Sequence, residues 1–203
     1  MKDWTQIING WARRVPTWPL YILCLLPAPW LFWLGLTGGL GVEPIKELEH
    51  EYGELALQFL VAGLCITPLR RFAGLNLLKF RRMLGLAAYT YVSLHLLVWL
   101  LLDVGALDRI LQDIAKRPYI TVGMLAFVLL TPLAITSNTL SIRRLGAAAW
   151  RRVHWLVYPS VLLGALHYVM LSKGWQMEPL IYLLVIVALL SLRVRFRRRV
   201  NTA

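Results

Sequence analysis

Long apolar runs alternate with short polar connectors along the 203-residue chain. A membrane-crossing helix needs about 20 mainly apolar residues, with a range of about 17–25. Six stretches meet or approach that length: about 18–37, 54–69, 84–102, 119–137, 153–171 and 179–193. The second and sixth are short and are expected to borrow flanking residues. The pattern predicts an all-α integral membrane protein, a six-transmembrane-helix bundle. Pro27 and Pro29 in the first span, Pro68 in the second, Pro132 in the fourth and Pro159 in the fifth are expected to kink helices, which neighbouring helices can repair. Ahead of the first run, Trp4, Ile7, Ile8 and Trp11 fall at i, i+3, i+4 and i+7. They form one apolar stripe facing away from Lys2 and Arg13, so residues 1–17 are expected to lie in the interface as a short helix ending before Pro16. The first span is expected to be a retained anchor, since it is long for a signal peptide and no small-x-small cleavage site follows.

The connectors carry a sharp charge split. The N-terminus, 70–82, 141–152 and the tail hold seventeen cations and one acid, Asp3. The other connectors hold five cations (Lys46, Arg109, Lys116, Arg117, Lys173) and nine acids, from Glu43 to Glu178. Lys and Arg in short loops stay cytoplasmic, so both termini are expected in the cytoplasm, with 194–203 a basic cytoplasmic tail. Composition agrees: 59% hydrophobic and 16% charged excludes a disordered chain and disfavours a soluble enzyme. A formal charge of +12 ordinarily raises nucleic acid as a partner. Here it marks orientation, and no nucleic acid is expected. Trp18, Trp99, Trp150, Trp155 and Trp175 fall near the expected interfaces, as an anchoring belt does.

Several chemistries lack their residues. Cys24 and Cys65 sit inside the first two spans, without a Cys-x-x-Cys pair, so covalent haem attachment and thiol redox work are unsupported. Gly38-Gly39-Leu40-Gly41 has no flanking strand and helix to make a dinucleotide fingerprint. No nucleotide-binding pattern follows the sixth span. The histidines are more telling. His50 sits among Glu47, Glu49 and Glu51, where a solvated or carboxylate-paired side chain is the plain reading and metal binding the other. His95 and His167 sit deep inside apolar runs, where an ionisable residue is functional by default; bonding between helices is the plainer alternative. His95 lies 12 residues past Met83 and His167 14 past Val153, about 18 and 21 Å from the same membrane face at 1.5 Å per residue. Two imidazoles at one level on parallel spans suit bis-histidine ligation of a haem iron. Gly85 and Ala88, and Ser160 and Gly164, share the faces of the two histidines and are expected to leave room for a flat ring. His154 lies about 20 Å below His167, at the membrane edge beside Arg151 and Arg152. The third span offers Arg81 at that level rather than a histidine. Arg81 and His154 are therefore candidates for an anionic or aromatic redox ligand, a flavin phosphate or a quinone; an interfacial histidine is the alternative.

At these residues the chain resembles a known family. Six spans with histidines on the third and fifth are similar to the ferric-reductase-like transmembrane domain, covering 18–193. Within it the chain looks more closely like the MsrQ family (older name YedZ), haem-binding membrane subunits of periplasmic methionine sulfoxide reductase systems. The matching segments are Gly38-Gly39-Leu40-Gly41 with Pro44 and His50, Thr67-Pro68-Leu69, Arg81-Arg82-Met83-Leu84-Gly85-Leu86 leading to His95, Arg117-Pro118-Tyr119-Ile120-Thr121, Leu145-Gly146 with Val153-His154, and His167-Tyr168. The resemblance implies a multi-pass protein of the bacterial inner membrane, with haem b and FMN as cofactors. It implies a non-catalytic electron-transfer subunit, taking electrons from the quinone pool or a flavin donor. It passes them to a periplasmic molybdopterin-containing, MsrP-like subunit that repairs oxidised proteins. The haem ligands carried over are His95, His154 and His167; the resemblance leaves the pairing open, and depth favours His95 with His167. Acidic segments 43–54 and 103–113 are the expected docking face for the partner. Two other functions fit the same residues: a stand-alone transmembrane haem reductase of metal ions or oxygen, and a cofactor-free transporter or scaffold.

Overall fold

The computed structural model describes residues 2–172 and 176–193; Lys173, Trp175 and the basic tail at 194–203 lie outside the described residues. Every regular element among them is helical. An amphipathic α1 (Lys2–Arg14) precedes α2 (Trp18–Leu25) and α3 (Pro27–Thr37), which together make the first span of 20 residues. The chain continues through α4 (Pro44–Phe72), α5 (Arg81–Val98), α6 (Leu107–Lys116), α7 (Pro118–Ile135), α8 (Thr139–Val153), α9 (Val157–Leu171) and α10 (Met177–Ser191). Among the described residues, five helical stretches are long and apolar enough to cross a membrane. α10, at 15 residues, is a shorter apolar helix.

The core explains which helices form the frame. α4 packs along α5, and α7 along α9. Leu48, Tyr52 and Ala56, at fourth-residue spacing on α4, are buried against Tyr91 and Val98 of α5. A second cluster joins Leu57 and Leu64 to Val161 and Ala165 of α9 and Ile186 of α10. The first span stays peripheral, with no fully buried residue. Two buried tyrosines tie its proline-rich middle to the frame: Tyr52 Oη donates to the Ala28 carbonyl at 2.7 Å and Tyr91 Oη to that of Cys24 at 2.9 Å. Large apolar side chains such as Trp30, Leu101 and Leu184 are left exposed on the outside, which hydrocarbon solvates and water does not.

Three connectors differ from the expectation. Segment 43–54 is not a loop: α4 begins at Pro44, whose missing N–H costs nothing at a first helical turn, and Leu48 and Tyr52 bury there. Segment 103–113 takes the end of a single π turn, Trp99–Val104, and then most of α6. Leu107, Ile110, Leu111 and Ile114 recur at helical spacing, so the connector folds as an amphipathic helix. Segment 141–152 is helical within α8, broken at Gly146, whose φ of 75° and ψ of 154° only glycine takes easily. Pro159 does not kink the middle of a helix. It sits in the first turn of α9, just after the tight turn His154–Leu156. Trp99 is buried and Trp150 bonds the Thr136 carbonyl at 2.9 Å, so both pack inside rather than anchor; Trp18 and Trp155 are exposed.

α1 docks by its polar side. Asn9 Nδ2 donates to the Gly74 carbonyl at 3.0 Å and Asn9 Oδ1 accepts from the Asn76 amide at 2.7 Å. Lys79 Nζ donates to the carbonyls of Arg13 and Val15. The apolar stripe of Trp4, Ile7, Ile8 and Trp11 is exposed.

Candidate functional site: a facing histidine pair

α5 and α9 bring His95 and His167 together at the centre of the bundle. Their ring centres are 6.2 Å apart, with the ring planes at 81°. Each ring is held in the same way by the antiparallel neighbour of its own helix. His95 Nδ1 lies 2.8 Å from the Glu49 carbonyl of α4. His167 Nδ1 lies 2.7 Å from the Tyr119 carbonyl of α7. A carbonyl only accepts, so Nδ1 carries a proton in both rings; in the neutral ring Nε2 then keeps its lone pair. No hydrogen bond reaches either Nε2 among the described residues. An N–H of one ring nitrogen bonded to a carbonyl is the usual support for a metal-ligating imidazole, since it sets the tautomer and ring angle.

The close approach of each ring has a second cause, one turn beyond the accepting carbonyl. Gly53 follows Glu49 by four and Gly123 follows Tyr119 by four. A Cβ at Gly53 would sit 3.1 Å from His95 Nδ1, and one at Gly123 would sit 2.8 Å from His167 Nδ1. Both positions are cradles that a methyl group would fill. The glycines expected to make room, Gly85 and Gly164, do not touch the histidines: nothing lies within 4 Å of a Cβ built at Gly85, and Leu57 is the neighbour at Gly164. Ala88 and Ser160 are buried in the frame. The sequence signal for the true cradles is a carbonyl-bearing residue followed four positions later by glycine, which only becomes visible when the facing histidines are known.

These residues fit a haem. Two metal–nitrogen bonds of about 2 Å, with the reach from each nitrogen to its ring centre, give a centre-to-centre span of about 6 Å. The observed separation matches that span, and the donor set is two neutral imidazoles in an apolar shell. His50 follows Glu49 on α4, one residue past the carbonyl that holds His95; His154 lies apart from the pair. No group of three or more His, Cys, Asp or Glu side chains suited to a metal ion occurs among the described residues. His154 stacks on Trp150, ring centres 3.8 Å apart, and its Nδ1 lies 3.1 Å from the Trp150 carbonyl. Arg81 lines a cavity of about 230 Å³ with Arg71, Arg193, Tyr158 and Thr67; His154 is not part of its wall.

The comparisons with known proteins agree with this frame. The model of the ferric reductase like transmembrane component matches residues 51–165, which include Gly53, His95 and Gly123 and stop two residues short of His167. The protein-methionine-sulfoxide reductase heme-binding subunit MsrQ of Brucella anthropi is 45% identical over 178 residues, covering 87% of this chain and 80% of that protein. Its counterpart in Agrobacterium fabrum is 48% identical, covering 87% of this chain and 82% of that protein. The Brucella ovis protein of the same name is 46% identical, with 87% and 80% covered. No solved structure matches the chain. With over half its length matched by the transmembrane model and relatives this similar across most of both chains, the protein belongs to the MsrQ family of ferric-reductase-like membrane proteins.

Proposed function

We propose that the chain is the haem b-containing electron-transfer subunit of a methionine sulfoxide reductase system, in which His95 and His167 would hold the haem iron. The observation that carries this is the pair of neutral imidazoles, 6.2 Å between centres, each with Nδ1–H given to a helix carbonyl. Haem b, when bound, supplies a one-electron iron couple. The chain's own part is to hold. The Glu49 and Tyr119 carbonyls fix the ring orientations, so little rearrangement accompanies a change of charge at the site. The glycine cradles let α4 and α7 close over the rings. The apolar frame keeps water away, which tunes the potential. The described side chains around the histidine pair hold a haem rather than act on a sulfoxide, and that chemistry is assigned to a partner subunit.

The topology follows from charge and length. Six spans with both termini in the cytoplasm place the arginine-rich ends of α4, α5 and α10 inside. α10 then spans although its 15 residues reach only about 22 Å; flanking residues and local thinning make up the difference. Electrons enter at the arginine-rich end from a quinone or a flavin such as FMN, for which His154, stacked on Trp150, is the imidazole on offer; Arg81 lines the arginine cavity at the same end. They leave towards a periplasmic molybdopterin-containing subunit. The outer face presents the acidic first turns of α4 and the amphipathic α6, a surface suited to a partner of complementary charge.

Haem and flavin stoichiometry on the purified protein, with His95→Ala, His167→Ala and His154→Ala beside it, tests the reading. One low-spin haem, lost in each of the first two variants and kept in the third, is the expected result. A colourless protein after expression with ample haem refutes the electron-transfer role, and loss in His154→Ala with retention in His167→Ala refutes the pairing. Loss of ferric reduction with intact sulfoxide repair in cells would favour the stand-alone reductase instead.

A further inference from the structure

We infer that the arginine-walled cavity at the tail end of the bundle is a binding site for the phosphate of an anionic membrane phospholipid. The C-terminal end of α4, the start of α5 and the end of α10 converge there. They bring Arg71, Arg81 and Arg193 to one cavity of about 230 Å³. The three guanidinium charges have no carboxylate partner among the described residues. The only ion pairs among the described residues are Lys46 with Glu43 and Arg117 with Asp113, both elsewhere. The sequence has no acid near this end except Asp3. Backbone and hydroxyl groups take part of the donors: Arg71 Nη1 donates to the Leu192 carbonyl at 3.2 Å, Arg193 Nη2 to that of Leu64 at 2.7 Å, and Arg193 Nη1 to Tyr158 Oη at 3.3 Å. Arg193 Nε is left buried with no partner. Buried donors on charged groups are costly to leave unpaired, and three like charges around one cavity repel. An anion resolves both.

The size of the cavity and its walls select the anion. Sites for drug-sized ligands run to about 300–1,000 Å³, so this one is too small to enclose a flavin and suits a phosphate with a short alcohol. Pro68, Phe72 and Leu192 make the rest of the wall, an apolar border that acyl chains can follow out of the bundle. Basic pockets between spans at a membrane surface are where anionic headgroups bind, and arginine forks match phosphate oxygens in pairs. Arg81 then serves the lipid phosphate, leaving His154 as the contact for a redox ligand. The inference rests on this end lying at a membrane surface, and on neither haem nor the choice of leaflet.

Native mass spectrometry tests it on the full-length protein, reconstituted in phosphatidylcholine discs doped with phosphatidylglycerol and then released into detergent. One retained phosphatidylglycerol per chain is expected. Arg71→Gln and Arg193→Gln should each cut its occupancy about tenfold or more, while Arg143→Gln, an exposed arginine outside the cavity, should leave it unchanged. Monodisperse elution and an unchanged helical circular dichroism spectrum show that the variants fold, and Arg71 is exposed enough that its loss is tolerated. Equal retention in all variants, or equal loss in Arg143→Gln, overturns the site. Displacement of the lipid by inorganic phosphate or FMN at stoichiometric amounts assigns the cavity to a soluble phosphate and overturns the lipid reading.

Discussion

Replacing Gly123 by alanine tests whether the histidine geometry is the working one. The new methyl carbon would lie 2.8 Å from His167 Nδ1, 3.0 Å from Cε1 and 3.2 Å from Cγ. Carbon contacts settle near 3.5–4.0 Å, so the ring must retreat by about 0.7–1 Å. Its bond to the Tyr119 carbonyl, 2.7 Å long, then passes the limit of good geometry. Overpacking costs about 1–3 kcal/mol and the lost bond about 0.5–1.5 kcal/mol. Against this, the helix gains about 1 kcal/mol when alanine replaces an interior glycine. A net loss of about 0.5–3.5 kcal/mol lowers retention of low-spin haem by about 2- to 300-fold. Gly53→Ala meets His95 at 3.1 and 3.3 Å, so its loss should be the smaller of the two. Haem content, the Soret position and the midpoint potential of the purified variants measure both. Wild-type haem content, spectrum and potential in Gly123→Ala, with a raised unfolding temperature, would show that the ring has room to spare and refute the reasoning.

Two further outcomes follow from named contacts. Tyr91→Phe removes the donor to the Cys24 carbonyl from a fully buried site, which costs about 0.5–1.5 kcal/mol; the thermal midpoint should fall by a few degrees while the haem spectrum stays unchanged, and an unshifted midpoint counts against that bond. With Cys24 and Cys65 replaced by alanine, a membrane-impermeant maleimide applied to intact spheroplasts should label Val42→Cys and spare Leu145→Cys; the reverse pattern overturns the proposed orientation.

The sequence alone carried the broad physical class. Apolar runs of membrane length need no tertiary information to be recognised, because lipid demands that each span satisfy its own backbone. The charge split was equally legible, since it depends on counting along the chain. His95 and His167 stood out because few ionisable residues occur in the spans, and their depth follows from rise per residue alone. Length arithmetic does not report direction around the helix axis, nor which helix lies alongside. Gly85 and Gly164 therefore looked like room for a ring, whereas Gly53 and Gly123, on other helices, are the residues that admit it. The connectors depart from the expectation for a related reason. Segments 43–54 and 103–113 are polar overall, and only packing of α4 on α5, or the one-sided spacing of α6, makes helices of them. The arginine cavity was hidden most completely. Arg71, Arg81 and Arg193 counted in the sequence as separate tokens of orientation, and only the convergence of three helix ends turned them into one uncompensated site. Composition and periodicity are sums along a chain and decide the solvent and the elements; contacts between distant segments decide what two rings, two glycines or three charges do together.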